Sequence, residues 1–265
     1  MRVPITQVDA FASKPFGGNS AAVMPLDAWP ADELLIAIAM ENNLSETAYL
    51  LPTTGDADFE LRWCTPTREV GMCGHATLAA GHVVLSGDPR REIVRFRTRK
   101  AGILTVTRAE SGYALDLPAV TTAETTNAPL LAALGLPPET PIFVSQGAAD
   151  PAHIILLDDE AAVCATAPDF AALAKIDTMA IVTAPGSTAD IASRVFVSAW
   201  GIDEDPVTGS AHAALTPFWA ARLGHERFTA FQASARGGHL GCALDGARAR
   251  LSGACVTVME GSFFL

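Results

Sequence analysis

Glu46 sits in Leu44-Ser45-Glu46-Thr47-Ala48-Tyr49-Leu50-Leu51-Pro52, which reads as a strand because it follows two asparagines and ends at proline. Side chains alternate faces along a strand, so Leu44, Glu46, Ala48 and Leu50 share one face. A lone carboxylate on an apolar face is costly to charge unless it is paired, and that cost poises it for general acid/base work. The competing reading is a carboxylate at a strand end that simply reaches water. His75 stands in Gly71-Met72-Cys73-Gly74-His75-Ala76-Thr77-Leu78, at the mouth of an expected helix. A helix N-terminus disfavours an imidazolium, so a neutral, hydrogen-bonding ring is expected there, or a histidine that merely caps its helix. Cys73 is either a thiol base with a pKa lowered by the same helix or a small core residue. Asp205 opens Asp205-Pro206-Val207-Thr208-Gly209-Ser210-Ala211-His212, where Asp-Pro marks either a turn or a second functional point.

The elements that must position these groups are two helices that open on glycine, at Gly74 and at Gly209. Each continues as a run of Ala, Leu and other apolar residues with hardly a charge. A helix apolar all round is buried all round, and in a strand-rich protein a sheet wrapped about it meets that demand. Helices opening on glycine leave their first N–H groups bare, which together would hold a small anionic molecule.

The order of elements runs twice. Strands are expected over 3–11 and 21–24, joined by a glycine-rich loop, then a helix over 30–40 with Asp32 and Glu33 in its first turn and Asn42 and Asn43 at its end. A strand over 58–64 precedes the first apolar helix, which stops at Gly87. Strands over 92–97, 102–108 and 112–117 follow, and their regular turn spacing favours antiparallel pairing over βαβ units. Residues 118–127 read as a linker. The pattern resumes with a helix over 126–134, a strand over 142–145, a loop holding Gly147 and Pro151, and a strand over 153–157. A helix over 167–174 and a strand over 178–183 follow. A strand over 194–200 then matches Arg62-Trp63-Cys64 before the second apolar helix, 210–223, ended by Gly224. Strands over 228–234, 241–245, 248–252 and 254–259 finish the chain.

Other chemistries are disfavoured. The net charge of −11 argues against nucleic acid and against an anionic membrane surface. The five cysteines form no CxxC pair and read as reduced thiols. No two ligands stand at HExxH spacing, so metal binding is not expected. Asp205, Ser210 and His212 lack nucleophile-elbow spacing, and Gly17-Gly18-Asn19 is no dinucleotide fingerprint. The N-terminus lacks a signal-length apolar segment, and no stretch reaches about 18 uninterrupted apolar residues, so a soluble, cytoplasmic protein is expected.

The sequence resembles the PhzF-like isomerase family, named for phenazine biosynthesis, within the diaminopimelate-epimerase-like group. The resemblance rests on Val8-Asp9-Ala10-Phe11, Phe16-Gly17-Gly18-Asn19, Asn43-Leu44-Ser45-Glu46-Thr47-Ala48 and Arg62-Trp63-Cys64-Thr65-Pro66-Thr67-Arg68-Glu69-Val70. Cys73-Gly74-His75-Ala76-Thr77 and Glu204-Asp205-Pro206-Val207-Thr208-Gly209-Ser210-Ala211 complete it, in family order over essentially the whole chain. It implies an α+β fold of two pseudo-symmetric halves, each a β barrel around a central helix, with the active site in the cleft between them. The halves would be 1–117, completed by a returning strand at about 255–265, and 118–254. It implies that Glu46 moves a proton between two carbons of a small carboxylic acid, assisted by His75 and Asp205. Asn19, Ser45, Cys73, Gly74, Thr208, Gly209 and Ser210 would bind the substrate. No cofactor is implied, and a homodimer is expected. The epimerase relatives use two facing cysteines, but Asp205-Pro206-Val207-Thr208-Gly209 holds none, so a one-base Glu46 mechanism is preferred. An amino-acid epimerase acting through Cys73 and a non-catalytic small-anion binding or regulatory protein are the alternatives.

Overall fold

A computed structural model describes residues 2–147 and 151–265. The loop expected around Gly147 therefore has its middle, 148–150, outside the described residues. The protein is mixed α/β, with strands dominating and helices few. It divides into two compact units, Met1–Asp116 with Ser252–Leu265, and Leu117–Leu251.

In the first unit, β1 (Arg2–Ala10) and β2 (Asn19–Pro25) form the expected antiparallel hairpin. Helix α1 (Asp32–Asn42) leads to β3 (Glu46–Pro52), which pairs parallel with β2. Asp32 and Glu33 occupy the first turn of α1, and Asn43 ends it in the left-handed conformation (φ 49°), its N–H on Ala39 O. Strand β4 (Phe59–Cys64) is antiparallel to β3, and the short β5 (Glu69–Val70) folds back on β4. Helix α2 (Gly74–Gly87) leads to β6 (Ile93–Thr98), parallel to β4. Strands β7 (Ile103–Ala109) and β8 (Gly112–Pro118) complete an antiparallel meander.

The second unit has β9 (Thr122–Thr125), α3 (Ala128–Ala133), β10 (Ile142–Ser145) and β11 (Ala152–Leu156). Two short helices, α4 (Glu160–Ala165) and α5 (Phe170–Leu173), lead to β12 (Met179–Pro185), parallel to β11. Strand β13 (Ile191–Val197) is antiparallel to β12 and carries β14 (Ile202–Asp205) on its flank. Helix α6 (Gly209–Leu223) leads to β15 (Arg227–Gln232), parallel to β13. Then come β16 (Gly238–Asp245), antiparallel to β15, and β17 (Arg248–Gly253). The last strand, β18 (Cys255–Phe264), returns to the first unit and lies antiparallel along β1.

Several expectations need correction. Turn spacing over 92–117 pointed to antiparallel pairing, and β6, β7 and β8 do pair that way, but the parallel pairs bridged by α1, α2 and α6, and by α4 with α5, were not anticipated. A hairpin betrays itself by its turn, whereas a parallel pair forms through its intervening helix and leaves no local mark. The expected linker contains β9, because its β-branched threonines suit the antiparallel ladder with β10. The expected 167–174 helix shrinks to the four residues of α5, and α4 before it was not anticipated. The expected 194–200 strand ends at Val197 in a 3-10 turn, Ser198–Trp200, closed by Gly201 with φ 91°.

The apolar helices are buried as their composition demands. Every residue of α2 from Gly74 through Gly81 is buried, and the helix touches β1, β2, β3, β6, β7 and β18. Gly81 is where α2 meets β7 most closely, since a Cβ there would lie 2.7 Å from Val106 Cβ. Helix α6 contains Pro217, which cannot donate to the carbonyl one turn earlier. That carbonyl, Ala213 O, instead accepts from Val120 N–H at 3.1 Å.

Two arginines, Arg62 buried and Arg194 partly buried, brace the chain just before these helices. Arg62, 3% exposed, donates through Nε and Nη2 to the two oxygens of Glu69 at 2.9 and 2.6 Å and lies 5.0 Å from the Trp29 ring centroid. Arg194 donates in the same way to Glu204 at 2.8 and 3.0 Å and adds the Thr166 carbonyl at 2.7 Å. Forked pairs of this kind fix orientation as well as charge. Each ties a strand to the short return strand that leads into the helix opening.

Candidate functional site

The first helix opening begins at Cys73, whose extended backbone (φ −145°, ψ 113°) precedes Gly74, the first residue of α2. The Cys73 side chain makes no capping bond to the helix, and its carbonyl takes up Thr77 N–H at 3.2 Å. Gly74 and the residues behind it therefore keep donors that the helix itself does not use.

Opposite this opening lie the starts of β2 and β3. Asp9, buried at 1% exposure, accepts from Phe16 N at 2.8 Å and from Ser20 Oγ at 2.5 Å. It thereby pins a loop that adopts positive φ at Phe11, Phe16 and Gly18. At Gly18 a Cβ would collide with the Ala10 carbonyl, so only glycine fits. The pinned loop delivers Asn19, which begins β2 and is 1% exposed.

Asn19, Ser45, Glu46, Cys73 and His75 converge. Ser45 Oγ donates to Asn19 Oδ1 at 2.8 Å, and Asn19 Nδ2 stands 3.1 Å from His75 Nδ1. His75 Nε2 is 3.0 Å from Glu46 Oε2. Cys73 Sγ is 3.5 Å from Nδ1 and 4.0 Å from Nε2 of the same ring. In the neutral form of the ring, with the amide held by Ser45, Nδ1 accepts and Nε2 carries the proton on the side of Glu46. Glu46 Oε2 is buried and meets no hydrogen-bond geometry with any neighbour, the approach of His75 being close but poorly aligned. Glu46 is the first residue of β3, and its side chain keeps 14% exposure. The strand-end reading was thus right about position, while the oxygen nearest His75 is shut off from water. Ala48 and Leu50 are buried on its face, but so are Thr47 and Tyr49 on the other, so alternation did not isolate a single buried face.

The expectation of a neutral His75 reverses, and of the two readings of Cys73 the activated thiol fails. Burial opposes an imidazolium at His75, but the Cys73 sulfur and the Glu46 carboxyl group beside it outweigh burial, and its pKa is held well above the ordinary range rather than lowered by the helix. Cys73 is not activated by the helix. Burial, with Glu46 adding to it, pushes its thiol up to about 11. His82, further along α2, is hydrogen-bonded to Tyr113 OH at 3.1 Å and to Thr257 Oγ1 at 2.8 Å.

The second helix opening, in the other unit, has the same local form. Thr208 is extended (φ −117°, ψ 104°), precedes Gly209, and makes no side-chain cap. Its hydroxyl turns back to Asp205 Oδ2 at 2.5 Å. Gln232, fully buried at the end of β15, clamps the turn. Its Oε1 accepts from Thr208 N at 2.9 Å, and its Nε2 donates to Asp205 O at 2.7 Å. Ser234 Oγ holds Pro206 O at 2.8 Å. Asp205, Thr208 and Gly209 are thus brought together, with Ser210 following in the first turn of α6. Sequence reasoning passed over Asp9 as a separate feature and missed Gln232. The only signal for Gln232 was an amide closing the otherwise apolar strand Phe228-Thr229-Ala230-Phe231.

Among the described residues, Glu46, Cys73 and His75 are the one group of three that offer ligand atoms within 4.8 Å of one another. No helix is long and apolar enough to cross a membrane among those residues.

Comparison with known proteins places this geometry in context. A sequence model of the family described as phenazine biosynthesis-like protein, PhzC-PhzF, matches residues 8–261. An uncharacterized isomerase of Pseudomonas aeruginosa is 48% identical over 264 residues, covering 98% of each chain. The crystal structure of a phenazine biosynthesis protein of the PhzF family from Enterococcus faecalis superposes with a TM-score of 0.88 at 39% identity, covering 100% of both chains. A hydroxyproline epimerase from Agrobacterium vitis, solved with trans-4-hydroxy-L-proline, shares the fold at a TM-score of 0.65 and 12% identity, over 98% of this chain and 92% of its own.

Proposed function

This chain belongs to the phenazine biosynthesis-like family of PhzF-type isomerases, and on that premise we propose that it moves a proton within a small carboxylic acid by cofactor-independent acid/base catalysis. Glu46 as carboxylate takes a proton from one substrate carbon. The electron pair left behind delocalises through the adjacent double bond and carboxylate. Protonated Glu46 then returns the proton to a second carbon, so the double bond shifts and the enzyme is restored. The observation that carries this reading is Glu46 Oε2, buried, without a hydrogen-bond partner and 3.0 Å from a histidine oriented from behind by Asn19 and Ser45. A base for carbon needs a free oxygen lone pair and a fixed direction, and this oxygen has both.

The remaining assignments belong to the same proposal. His75 supports the Glu46 charge and the developing enolate. Asn19, Ser45, Cys73 and Gly74 bind substrate in the first unit. In the second, Asp205 assists as a polarising group, Gly209 and Ser210 bind a carboxylate through bare helix N–H groups, and Thr208, whose own N–H is held by Gln232, contacts the substrate beside them. We read residues 1–117 with 255–265, and residues 118–254, as two related halves, each a barrel around its apolar helix. The burial of α2 and α6 and the matching Arg62–Glu69 and Arg194–Glu204 forks support this.

The epimerase reading through Cys73 is weaker for two reasons. Its thiol is pushed up to about 11 by burial, and the matching cap of α6 is Thr208, a poor carbon base. The test is hydrogen-to-deuterium exchange at substrate carbon, followed by NMR in deuterated water over a panel of unsaturated and α-amino carboxylic acids. Glu46→Gln should lower exchange by about 10²–10⁴-fold with the fold retained. Exchange that survives Glu46→Gln but is lost in Cys73→Ser would replace this mechanism with the thiol one. A ligand that stabilises both proteins and exchanges with neither would make the protein a binder.

A further inference from the structure

Among the described residues, three that are not glycine adopt a left-handed backbone: Phe11 at φ 58°, Phe16 at φ 72° and Asn43 at φ 49°. Two of them have a ready cause. Asparagine tolerates this conformation, and Asn43 ends α1. Phe11 is 1% exposed, so the core around its ring holds it in place. Phe16 has neither reason. It is a bulky residue in a conformation that would suit its neighbours Gly17 and Gly18, and it is 83% exposed. The folded core gains little from this ring, yet the buried carboxylate of Asp9 fixes the Phe16 N–H at 2.8 Å. Strain that the surroundings maintain and the core does not use is characteristic of a residue that meets a ligand.

The loop that carries Phe16 stands at the same end of the first unit as Glu46. It joins β1 to β2 directly before Asn19, and β2 runs parallel to β3 with Ala21 opposite Glu46. Asn19 accepts from Ser45 Oγ at 2.8 Å and stands 3.1 Å from His75 Nδ1. Phe16 lies three positions before Asn19, so their Cα atoms are no more than about 11 Å apart. Asp9 fastens the chain on both sides of Asn19, since its other oxygen takes Ser20 Oγ at 2.5 Å. A ring on a backbone held this way is preorganised, and little freedom is lost when a ligand settles against it. We propose that Phe16 is a specificity-determining residue whose ring closes over the apolar part of the substrate, a placement that rests on the reaction at Glu46 proposed above. The ring selects a carboxylic acid that carries a flat, unsaturated body, because a π face packs on an aromatic ring and keeps water from both. A short acid without such a body has nothing to lay against it.

The test is an NMR titration of the whole chain with benzoate and with acetate. Neither can undergo a double-bond shift, so binding is read apart from proton transfer. The wild type should bind benzoate about ten-fold or more tightly than acetate. Phe16→Asn should erase that preference, weakening benzoate about ten-fold and leaving acetate unchanged, while Phe16→Tyr retains it. The urea midpoint of Phe16→Asn should equal or exceed that of the wild type, because asparagine relieves the left-handed strain and removes an exposed ring. Phe264→Ala is the control. Phe264 is 76% exposed and lies opposite Arg2, at the far end of β1 from the loop, so its loss should move neither titration. A wild type that does not prefer benzoate, or a preference that survives Phe16→Asn, overturns the proposal. So does a lowered urea midpoint with benzoate and acetate weakened alike, since Phe16 would then only hold the loop. Carbon exchange that survives Glu46→Gln, together with a benzoate preference lost in Phe16→Asn, would sink the reaction and keep Phe16 as the contact of the ligand.

Discussion

Gln232→Leu tests whether one buried amide sets the second helix opening. The Gln232 side chain accepts from Thr208 N at 2.9 Å and donates to Asp205 O at 2.7 Å and Thr208 Oγ1 at 3.2 Å. Leucine fills nearly the same volume and makes none of these bonds. A buried amide N–H stripped of its acceptor costs about 1–3 kcal/mol, and loss of the donor to the Asp205 carbonyl adds about 1 kcal/mol. The extra apolar burial of leucine returns about 1 kcal/mol. The net loss is therefore about 2 kcal/mol, which is about thirty-fold in the opening equilibrium at Thr208. Two measurements check it: the exchange rate of the Thr208 amide by NMR, and the urea midpoint of the unit that holds it. The amide should exchange about thirty-fold faster while distant strands such as β7 keep their protection. An unchanged Thr208 exchange rate would refute the clamp. Uniform acceleration across the chain would show that leucine disturbs packing rather than the turn.

Gly81→Ala should destabilise, because a helix-propensity gain of about 1 kcal/mol is set against overpacking on Val106 of about 1–3 kcal/mol. Gly87→Ala, with nothing within 4 Å of its new Cβ, should be neutral or stabilising in the same urea titration. His212 supplies an acid limit. Burial lowers its pKa to about 4. Because the folded value lies below the unfolded one, the stability His212 contributes is present above about pH 6.5 and is lost as pH falls through 4. The loss is on the order of 3 kcal/mol, and His212→Gln should flatten the urea midpoint across that window. At His75 the sign is opposite, since its folded pKa is raised. Its contribution is full below about pH 6.5 and disappears as pH rises through the folded value. The alkaline decline should be shallower in Glu46→Gln.

What could be read in the chain depended on how local its physical cause is. Gly74 and Gly209 announce the helix openings because bare helix ends need small residues there. Asn43 marks the end of α1 because asparagine tolerates the left-handed turn. Glu46 stood out as one charge among Leu44, Ala48 and Leu50. Contacts between distant segments left no such mark. Nothing near Glu46 in sequence announces His75 Nε2 at 3.0 Å, and that contact reversed the expected ionisation of the histidine. Gln232 looked like an ordinary polar strand residue because its partners lie more than twenty positions earlier. Parallel pairing was missed for the same reason, since its signature lies in the return of a strand after a helix.

The pairing of β18 with β1 sets a timetable for synthesis. On the ribosome β1 emerges before every other element described here, whereas its partner along the register from Arg2–Phe264 to Ala10–Cys255 is made after all of them. The second unit, continuous from Leu117 to Leu251, is complete in the nascent chain before the first unit can be. Until β18 emerges, one flank of β1 is an open edge able to take up a foreign strand. Premature termination just before β18 therefore yields a chain with the second unit intact, α2 and the Glu46–His75 pair already made, and a sticky edge where its last strand belongs.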